Sequence, residues 1–370
     1  MNELSALNQQ ILWVFFGIAF AVGAISHRTH FCTMGAIADV VNMGDWTRAR
    51  QWVLAIGVAM VGFAALVQSG AIDPSKTLYA NGRFMWLSCA LGGVMFGYGM
   101  VMASGCGNKT LVRIGAGNLK SLVVFLVLGL SAFATLKGIT AVLRVNTVDA
   151  VAMAMPNGAD LGALLAATSQ ASSAQAGIWS GYVLGIILIL WVLRHADFWS
   201  FENLTASFGI GSLIVAAWWV SGSLGFVPEH PDTLEAVYLG TSSGRIEAMS
   251  FVAPVAQTLD WLLFFSDKSK VLTVGVMSVV GVVVGSAASA LHQHTFRWEG
   301  FANVSDLSQH LVGGVLMGVG GVTAMGCTFG QGLSGISTLS LNSFVAVAAI
   351  VCGAVLSIHH QVARLERSLA

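Results

Sequence analysis

The sequence predicts an all-α membrane protein that crosses the bilayer about nine times. Hydrophobic residues make up 56% of the 370 residues, and charged residues only 9%. A soluble globular chain carries about a quarter charged residues, so most of this chain cannot face water. Apolar runs of roughly twenty residues, long enough for a bilayer core of about 30 Å, recur along the chain. These observations, together with a glycine-rich segment that occurs twice, predict the fold class.

Nine apolar segments define a single transmembrane domain over residues 1–370. Their predicted bounds are 11–27, 51–70, 85–105, 120–143, 178–194, 204–222, 271–291, 308–327 and 341–359. The weakly apolar segment 146–177 is typical of an interfacial helix or a half-span. The longest polar interruption, about 223–270, is predicted to be an extramembrane loop with a helix around Ala248–Phe265.

The charged residues indicate which partners the chain excludes and how its spans are oriented in the membrane. Seventeen basic and seventeen acidic residues give zero net charge, which argues against a nucleic-acid partner. Basic residues follow spans one, three and nine, so the positive-inside rule places those ends in the cytoplasm and the N-terminus outside. Lys137 and Arg144, after span four, oppose this orientation. The first ten residues lack a positive n-region, so we expect the first apolar run to remain as a span.

The repeated segment reads GGVMFGYGMVMASGC from Gly92 to Cys106 and GGVLMGVGGVTAMGC from Gly313 to Cys327, 221 residues later, with nine of fifteen positions identical. Spans three and eight are five crossings apart, so the copies run in opposite directions. We expect two inverted pseudo-repeats, about 11–145 and about 178–361. Inverted repeats are typical of secondary transporters, which bind substrate near the midplane where the repeats meet. The alternative is a duplication retained only for packing.

Three of the five cysteines stand where glycines interrupt a span. These are Cys32, Cys106 and Cys327, and the predicted helix breaks are Gly105, Gly107, Gly326 and Gly330. Irregular backbone at membrane depth is tolerated only where it is buried in protein or lines a cavity. The sequence therefore predicts short broken or re-entrant helices with thiols beside a polar space. Cys89 and Cys352 lie in apolar runs and are expected to act as small hydrophobic residues.

The residue types near these breaks suit a small sulfur-bearing anion. A thiol with a reference pKa near 8.5 is mostly S–H at neutral pH, and S–H is a weak, polarisable donor. Lys109 and Arg113 follow Cys106, and we expect Asn108 and Gln331 to add neutral donors. The alternative for the two cations is an ordinary cytoplasmic loop. No metal or other cofactor is expected, because the thiols are dispersed rather than clustered at ligand spacing.

At these motifs the chain resembles a known family. GCGNKT after the first glycine-rich span, GCTFGQG after its partner and the early RTHFCTMGA are similar to segments of the YeeE/YedE family of sulfur-compound transporters. The resemblance implies an hourglass-shaped fold and uptake of thiosulfate across the bacterial inner membrane, not enzymatic catalysis. It also implies that Cys32, Cys106 and Cys327 pass the ion by S–H hydrogen bonds, and that a TusA-like sulfur carrier is a possible cytoplasmic partner.

Three points stay open at this stage. The second half shows no counterpart of Cys32, since the chain reads RHADFWSFENLT after span five. The cargo could be a selenium or polysulfide species. The chain could also be a membrane sulfur relay that uses covalent persulfide chemistry on Cys106. No Walker A pattern is present, so this chain is not expected to power transport with its own ATPase.

Overall fold

The computed structural model describes residues 2–155, 158–168, 172–231, 234–267 and 269–369. Its α-helices, in chain order, are α1 (Asn2–Arg28), α2 (Thr33–Met43), α3 (Thr47–Gln68), α4 (Trp86–Met102), α5 (Gly107–Gly115), α6 (Leu119–Lys137), α7 (Ile139–Asn146), α8 (Leu161–Thr168), α9 (Ser173–Leu193), α10 (Phe201–Trp219), α11 (Val252–Leu263), α12 (Val274–His292), α13 (Val304–Thr323) and α14 (Leu341–Leu369).

Short elements connect the helices. Among the described residues, π-helices occupy Val220–Leu224 and Thr328–Gly335, and 3₁₀ turns occupy Pro74–Lys76 and Ala196–Phe198. Small antiparallel sheets there pair β1 (Arg83–Phe84) with β2 (Met153–Ala154), and β3 (Phe226–Val227) with β4 (Val237–Tyr238).

Across the described ranges, nine helical segments are long and apolar enough to cross a membrane. The first, third and eighth each continue past a break into a short helix, as their bounds Glu3–Met43, Trp86–Gly115 and Val304–Gly335 show. The prediction of an all-α multi-pass membrane protein with broken helices is therefore confirmed. The first span begins earlier than predicted, because polar residues continue its helix beyond the apolar run.

The two segments predicted to lie between spans also contain helices. Within 146–177, α8 follows a short irregular stretch, and residues 156, 157 and 169–171 lie outside the described residues. The loop 223–270 carries α11, inside the predicted range Ala248–Phe265. Residues 232, 233 and 268 of this loop are likewise outside the described residues.

The two glycine-rich copies lie on α4 and α13, and they pack against each other. A Cβ atom added at Gly99 would lie 2.7 Å from the Gly313 carbonyl oxygen, and one at Gly313 would lie 2.7 Å from that of Gly99. Gly92 and Gly320 approach each other in the same way, also at 2.7 Å in both directions. Gly92 is equivalent to Gly313 in the repeat, and Gly99 to Gly320. The contact is therefore reciprocal, as a twofold relation between the copies requires.

Other contacts between helices show the same twofold relation between the two halves of the chain. Helix α4 packs on α14 as α13 packs on α6, and α1 packs on α12 as α10 packs on α3. The short helix α2 contacts α3 and α14, while α11 contacts α12 and α6. We propose that the pseudo-repeats are spans one to four and spans six to nine, joined by α9. The second repeat would then begin at α10 rather than at residue 178.

Candidate functional site

The three chain breaks share one backbone geometry. Each cysteine is the N-cap of the short helix that follows: Cys32 of α2, Cys106 of α5 and Cys327 of the π-helix Thr328–Gly335. Two residues before each cysteine stands a non-glycine residue in the left-handed region: His30 (φ 52°), Ser104 (φ 56°) and Met325 (φ 57°). Such conformations cost energy and cluster at functional sites. The same local backbone geometry therefore positions all three cysteines.

At two of the breaks the sulfur atom also caps the helix. The Gly35 amide donates to Sγ of Cys32 at 3.5 Å, and the Gly330 amide donates to Sγ of Cys327 at 3.4 Å. Ser, Thr, Asp or Asn usually fills this position. Because each sulfur accepts from the backbone, its own S–H proton is left to donate elsewhere. Cys106 has no side-chain cap bond, and its carbonyl oxygen accepts from the Thr110 amide at 2.8 Å.

All three thiols are buried inside the bundle. Cys32 is 5% exposed, Cys106 1% and Cys327 0%. Cys106 is near enough to each of the other two thiols to affect its ionisation. The cysteine series is Cys32, Cys106 and Cys327, with Cys106 a neighbour of both of the others.

A first cavity of about 430 Å³ opens at the face where α1, α4 and α12 end. Cys32 lies in its wall. The basic side chains that line it are His27, His30, Arg48, Lys109, Arg113 and Arg297. One carboxylate, Glu299, accompanies them. This side of the chain is therefore an electropositive vestibule that ends at a thiol.

Most of these cations are bound by other protein groups at 3.0–3.3 Å. The partners are Asp39 for Arg48, Glu299 for Arg297 and the Ser104 carbonyl oxygen for Arg113. Lys109 differs, because no hydrogen bond or ion pair joins it to another residue that the structure describes. It is half-buried and interacts electrostatically with Cys32 and Cys106. Lys109 thus leaves its charge available to a ligand beside two thiols.

A second cavity of about 350 Å³ opens at the opposite face, where α12 and α14 begin and α13 ends. Its wall includes Met325 and Gly326, which directly precede Cys327, and Ser250. The Ser250 hydroxyl oxygen lies 3.9 Å from Sγ of Cys327. The two cavities therefore approach the cysteine series from opposite sides.

Buried aromatic rings pack together next to the outer two cysteines. Phe31 stacks on Trp52 with ring centroids 4.6 Å apart, and the Phe329 ring meets both edge-on. Phe251 adds a further edge contact to Phe329 at 5.2 Å. Phe31 precedes Cys32, and Phe329 follows Cys327 by two residues. Buried aromatic side chains therefore pack together beside Cys32 and Cys327 in the sequence.

Comparison with known proteins identifies the family. Residues 28–356 match the family model described as sulphur transport. The chain belongs to the sulphur transport family. This finding confirms the resemblance carried by the three cysteine motifs.

Curated relatives of this sulphur transport chain cover nearly its whole length. It is 25% identical over 340 residues to the thiosulfate transporter TsuA of Escherichia coli, covering 90% of this chain and 89% of that protein. It is 26% identical over 356 residues to the thiosulfate transporter TsuA of Spirochaeta thermophila, covering 93% and 97%. A shorter match of 114 residues at 29% identity joins it to the probable transporter YedE of Escherichia coli, covering 30% and 26%.

The predicted polar residues separate into two groups. Lys109 and Arg113 line the first cavity. Asn108 and Gln331 are buried and line neither cavity. The side-chain nitrogen of Gln331 donates to the Ala324 carbonyl oxygen at 2.8 Å, and its side-chain oxygen accepts from the Ser343 hydroxyl at 2.5 Å. These bonds stabilise the helix break at Cys327.

Asn108 is less completely bonded than Gln331. Its side-chain nitrogen lies 3.5 Å from the Ser26 hydroxyl oxygen, and its buried Oδ1 atom has no partner among the described residues.

Space for a side chain is short at three of the four predicted glycine breaks, Gly105, Gly326 and Gly330. A Cβ atom at Gly105 would touch the Lys109 side chain at 3.1 Å, and one at Gly107 would touch Phe251 at 3.4 Å. At Gly330 a Cβ atom would meet the Ser250 hydroxyl at 2.7 Å. Gly326 lines the second cavity. Within the described ranges, no group of three or more His, Cys, Asp or Glu residues could hold a metal ion.

The proposed second repeat has no cysteine at the position that corresponds to Cys32. If the repeats are as proposed, α2 corresponds to α11, which follows span six rather than span five. The N-cap of α11 is Phe251, so no cysteine stands there either. Its neighbour Ser250 contacts Cys327 instead. The sequence signal for α11 was Pro254, since proline is favoured in the first turn of a helix.

Tyr79 is a second residue that the sequence did not reveal. Its hydroxyl donates to the Gly330 carbonyl oxygen at 2.6 Å and so holds the π-helix that carries Cys327. Burial raises the pKa of Tyr79, so the phenol stays protonated and can donate.

Proposed function

We propose that this chain carries thiosulfate, or a closely related small sulfur anion, across the bacterial inner membrane. The observation that carries the proposal is the arrangement of two cavities at opposite faces with three thiols between them. In this account the anion passes Cys327, Cys106 and Cys32 in turn. The chain acts as a transporter and not as an enzyme.

The thiols suit this cargo because a neutral S–H group is a weak, polarisable donor. Backbone amides already occupy the sulfur atoms of Cys32 and Cys327, which leaves each S–H proton for the ion. Weak binding at several sites allows exit as well as admission. The N-termini of α2, α5 and the π-helix begin at these cysteines and add positive partial charge.

Lys109 contributes a full charge at the first cavity. An anion that leaves water without compensation loses many kcal/mol, on the order of tens for an isolated ion. The half-buried ammonium group of Lys109, which has no ion-pair partner among the described residues, offsets part of this cost beside Cys32 and Cys106. Arg113 is the weaker candidate, because it already donates to the Ser104 carbonyl oxygen.

The positive-inside rule assigns the first cavity to the cytoplasm, so uptake into the cell would run from the second cavity to the first. Two relatives that match over most of their length carry the name thiosulfate transporter, which supports the choice of cargo. A soluble TusA-like sulfur carrier is the partner we propose at the cytoplasmic face.

Uptake of radiolabelled thiosulfate into proteoliposomes that hold the purified chain tests this function. We expect uptake above that of empty liposomes, competition by unlabelled thiosulfate and little competition by sulfate, which lacks the terminal sulfur. Competition by selenosulfate would extend the cargo to selenium species. Thiosulfate uptake equal to that of empty liposomes would contradict the proposal.

A further inference from the structure

The second cavity differs from the first in its charge. Two charged residues are found among its described lining, Arg144 and Glu247. Arg144 forms an ion pair with Asp149 at 3.0 Å. No ion pair neutralises Glu247 within the part of the chain that the structure describes. An ionised Glu247 therefore gives this cavity an uncompensated negative charge, although the proposed cargo is an anion.

Short polar contacts hold the Glu247 carboxyl group in place. One of its oxygens, Oε1, accepts from the Ser243 amide at 2.9 Å and from the Ser242 hydroxyl at 3.2 Å. The Glu247 amide donates to the Ser221 hydroxyl at 2.9 Å. These bonds tie the residue to two segments of the fold. They hold the carboxyl group at the lining of the second cavity, where it would face the anion.

The charged side chains near Glu247 are either exposed to solvent or bound to other groups. Arg245 and Lys76 are solvent-exposed, and Arg245 donates to the Ala80 carbonyl oxygen. On the α11 side, Asp260 pairs with Lys270 at 2.7 Å. Tyr79 shares the cavity as a neutral phenol. Burial raises the pKa of Glu247, and the bonds from the serines act against that rise.

We propose that Glu247 is a proton-binding site that controls admission of the anion to the second cavity. The inference rests on the proposed function, since it presumes an anionic cargo. An ionised carboxylate and the anion repel each other within one small cavity. Proton binding and anion binding therefore favour each other, and this coupling is reciprocal.

The charge of Glu247 determines how the transport rate depends on pH. Above its pKa, Glu247 is ionised and opposes passage of the anion. As the pH falls through that value, the carboxyl group is neutralised and transport accelerates. Glutamine keeps an oxygen that can accept from Ser242 and Ser243 but carries no charge, so Glu247→Gln fixes the neutral state.

The test measures initial rates of thiosulfate uptake into proteoliposomes with equal pH on both sides and a clamped membrane potential. Equal pH makes the result independent of the orientation of the inserted chain. The rates are measured over the whole pH range in which the reconstituted protein stays folded. Because burial raises the pKa of Glu247, we expect the parent rate to rise as the pH falls through that pKa. The Glu247→Gln rate should be high throughout and nearly constant.

Glu229→Gln is the matched control, because Glu229 is an exposed carboxylate in the same loop. It should follow the parent profile. His27 and His30 line the first cavity, so a pH profile that persists in Glu247→Gln would assign the effect to them and overturn the inference. A slow, flat profile in a folded Glu247→Gln protein would also overturn it. Glu247→Ala, checked for folding by size-exclusion chromatography, provides a second neutral variant with the same expected profile.

The two proposals fail differently in this experiment. A parent protein that transports thiosulfate at a rate independent of pH overturns the role of Glu247 and leaves the function intact. A parent protein that transports no thiosulfate at any pH overturns the function, and the inference with it.

Discussion

Replacement of Gly99 by alanine should weaken the contact between the two glycine-rich helices. The added Cβ atom would lie 2.7 Å from the Gly313 carbonyl oxygen and 2.9 Å from the Met317 amide nitrogen, both backbone atoms of α13. Ordinary contact begins at 3.4 Å, so the helices must separate locally by about 0.7 Å, the difference between 3.4 and 2.7 Å. Overpacking of this kind costs about 1–3 kcal/mol, and the better helix propensity of alanine returns about 0.5–1 kcal/mol. We expect a net loss of about 1 kcal/mol, within a range of about 0–2.5 kcal/mol.

Thermal unfolding of the detergent-solubilised protein, followed by tryptophan fluorescence, measures the loss as a fall in Tm of a few degrees. Gly320→Ala, at the equivalent position of the other copy, should behave alike. Gly17→Ala is the control, because a Cβ atom there meets nothing within 4 Å. A Gly99→Ala protein as stable as Gly17→Ala would refute the close packing of α4 on α13.

Three further changes test the site. Lys109→Gln should raise KM for thiosulfate about tenfold or more, because it removes a partly buried charge that no described residue pairs. Lys120 is ion-paired with Asp306, so Lys120→Gln should leave KM near the parent value in the same uptake assay. Tyr79→Phe leaves the Gly330 carbonyl oxygen without its donor and should cost about 1–3 kcal/mol in chemical unfolding; an unchanged midpoint would remove this support for the Cys327 segment. Ser250→Ala should lower the uptake rate a few-fold without lowering Tm, and a parent-like rate would exclude the hydroxyl from the path.

The broad fold could be predicted because hydropathy and glycine patterning are local signals. The nine spans and the breaks at Cys106 and Cys327 depend on apolar runs and helix-breaking residues close in sequence. The strained residues before the cysteines could not be predicted, since His30, Ser104 and Met325 carry no glycine signal. Their left-handed conformations are imposed by the surrounding tertiary structure.

The site was predictable only where a residue's role follows from its own segment. Cys32 and Cys327 each begin a Cys-Thr-X-Gly sequence, and the structure gives that pattern a meaning, because the glycine amide donates to the cysteine sulfur. Gln331 was expected to offer a donor to the ion, but its side-chain nitrogen donates to the Ala324 carbonyl oxygen, and Ser343 of α14 donates to its oxygen. Ser250 reaches Cys327 across 77 residues of sequence, a contact that no local pattern reveals.

The most direct test of the thiol path is a comparison of Cys106→Ser and Cys106→Ala in thiosulfate uptake by proteoliposomes. Serine keeps a hydrogen-bond donor at the middle position and removes the sulfur nucleophile, while alanine removes both. Cys352→Ala is the control, because this thiol is exposed on the outside of α14. We predict parent-like uptake for Cys352→Ala, partial uptake for Cys106→Ser and nearly complete loss for Cys106→Ala. Parent-like uptake by Cys106→Ala would contradict the path, and loss in Cys106→Ser with a persulfide trapped on Cys106 of the parent would indicate covalent transfer instead.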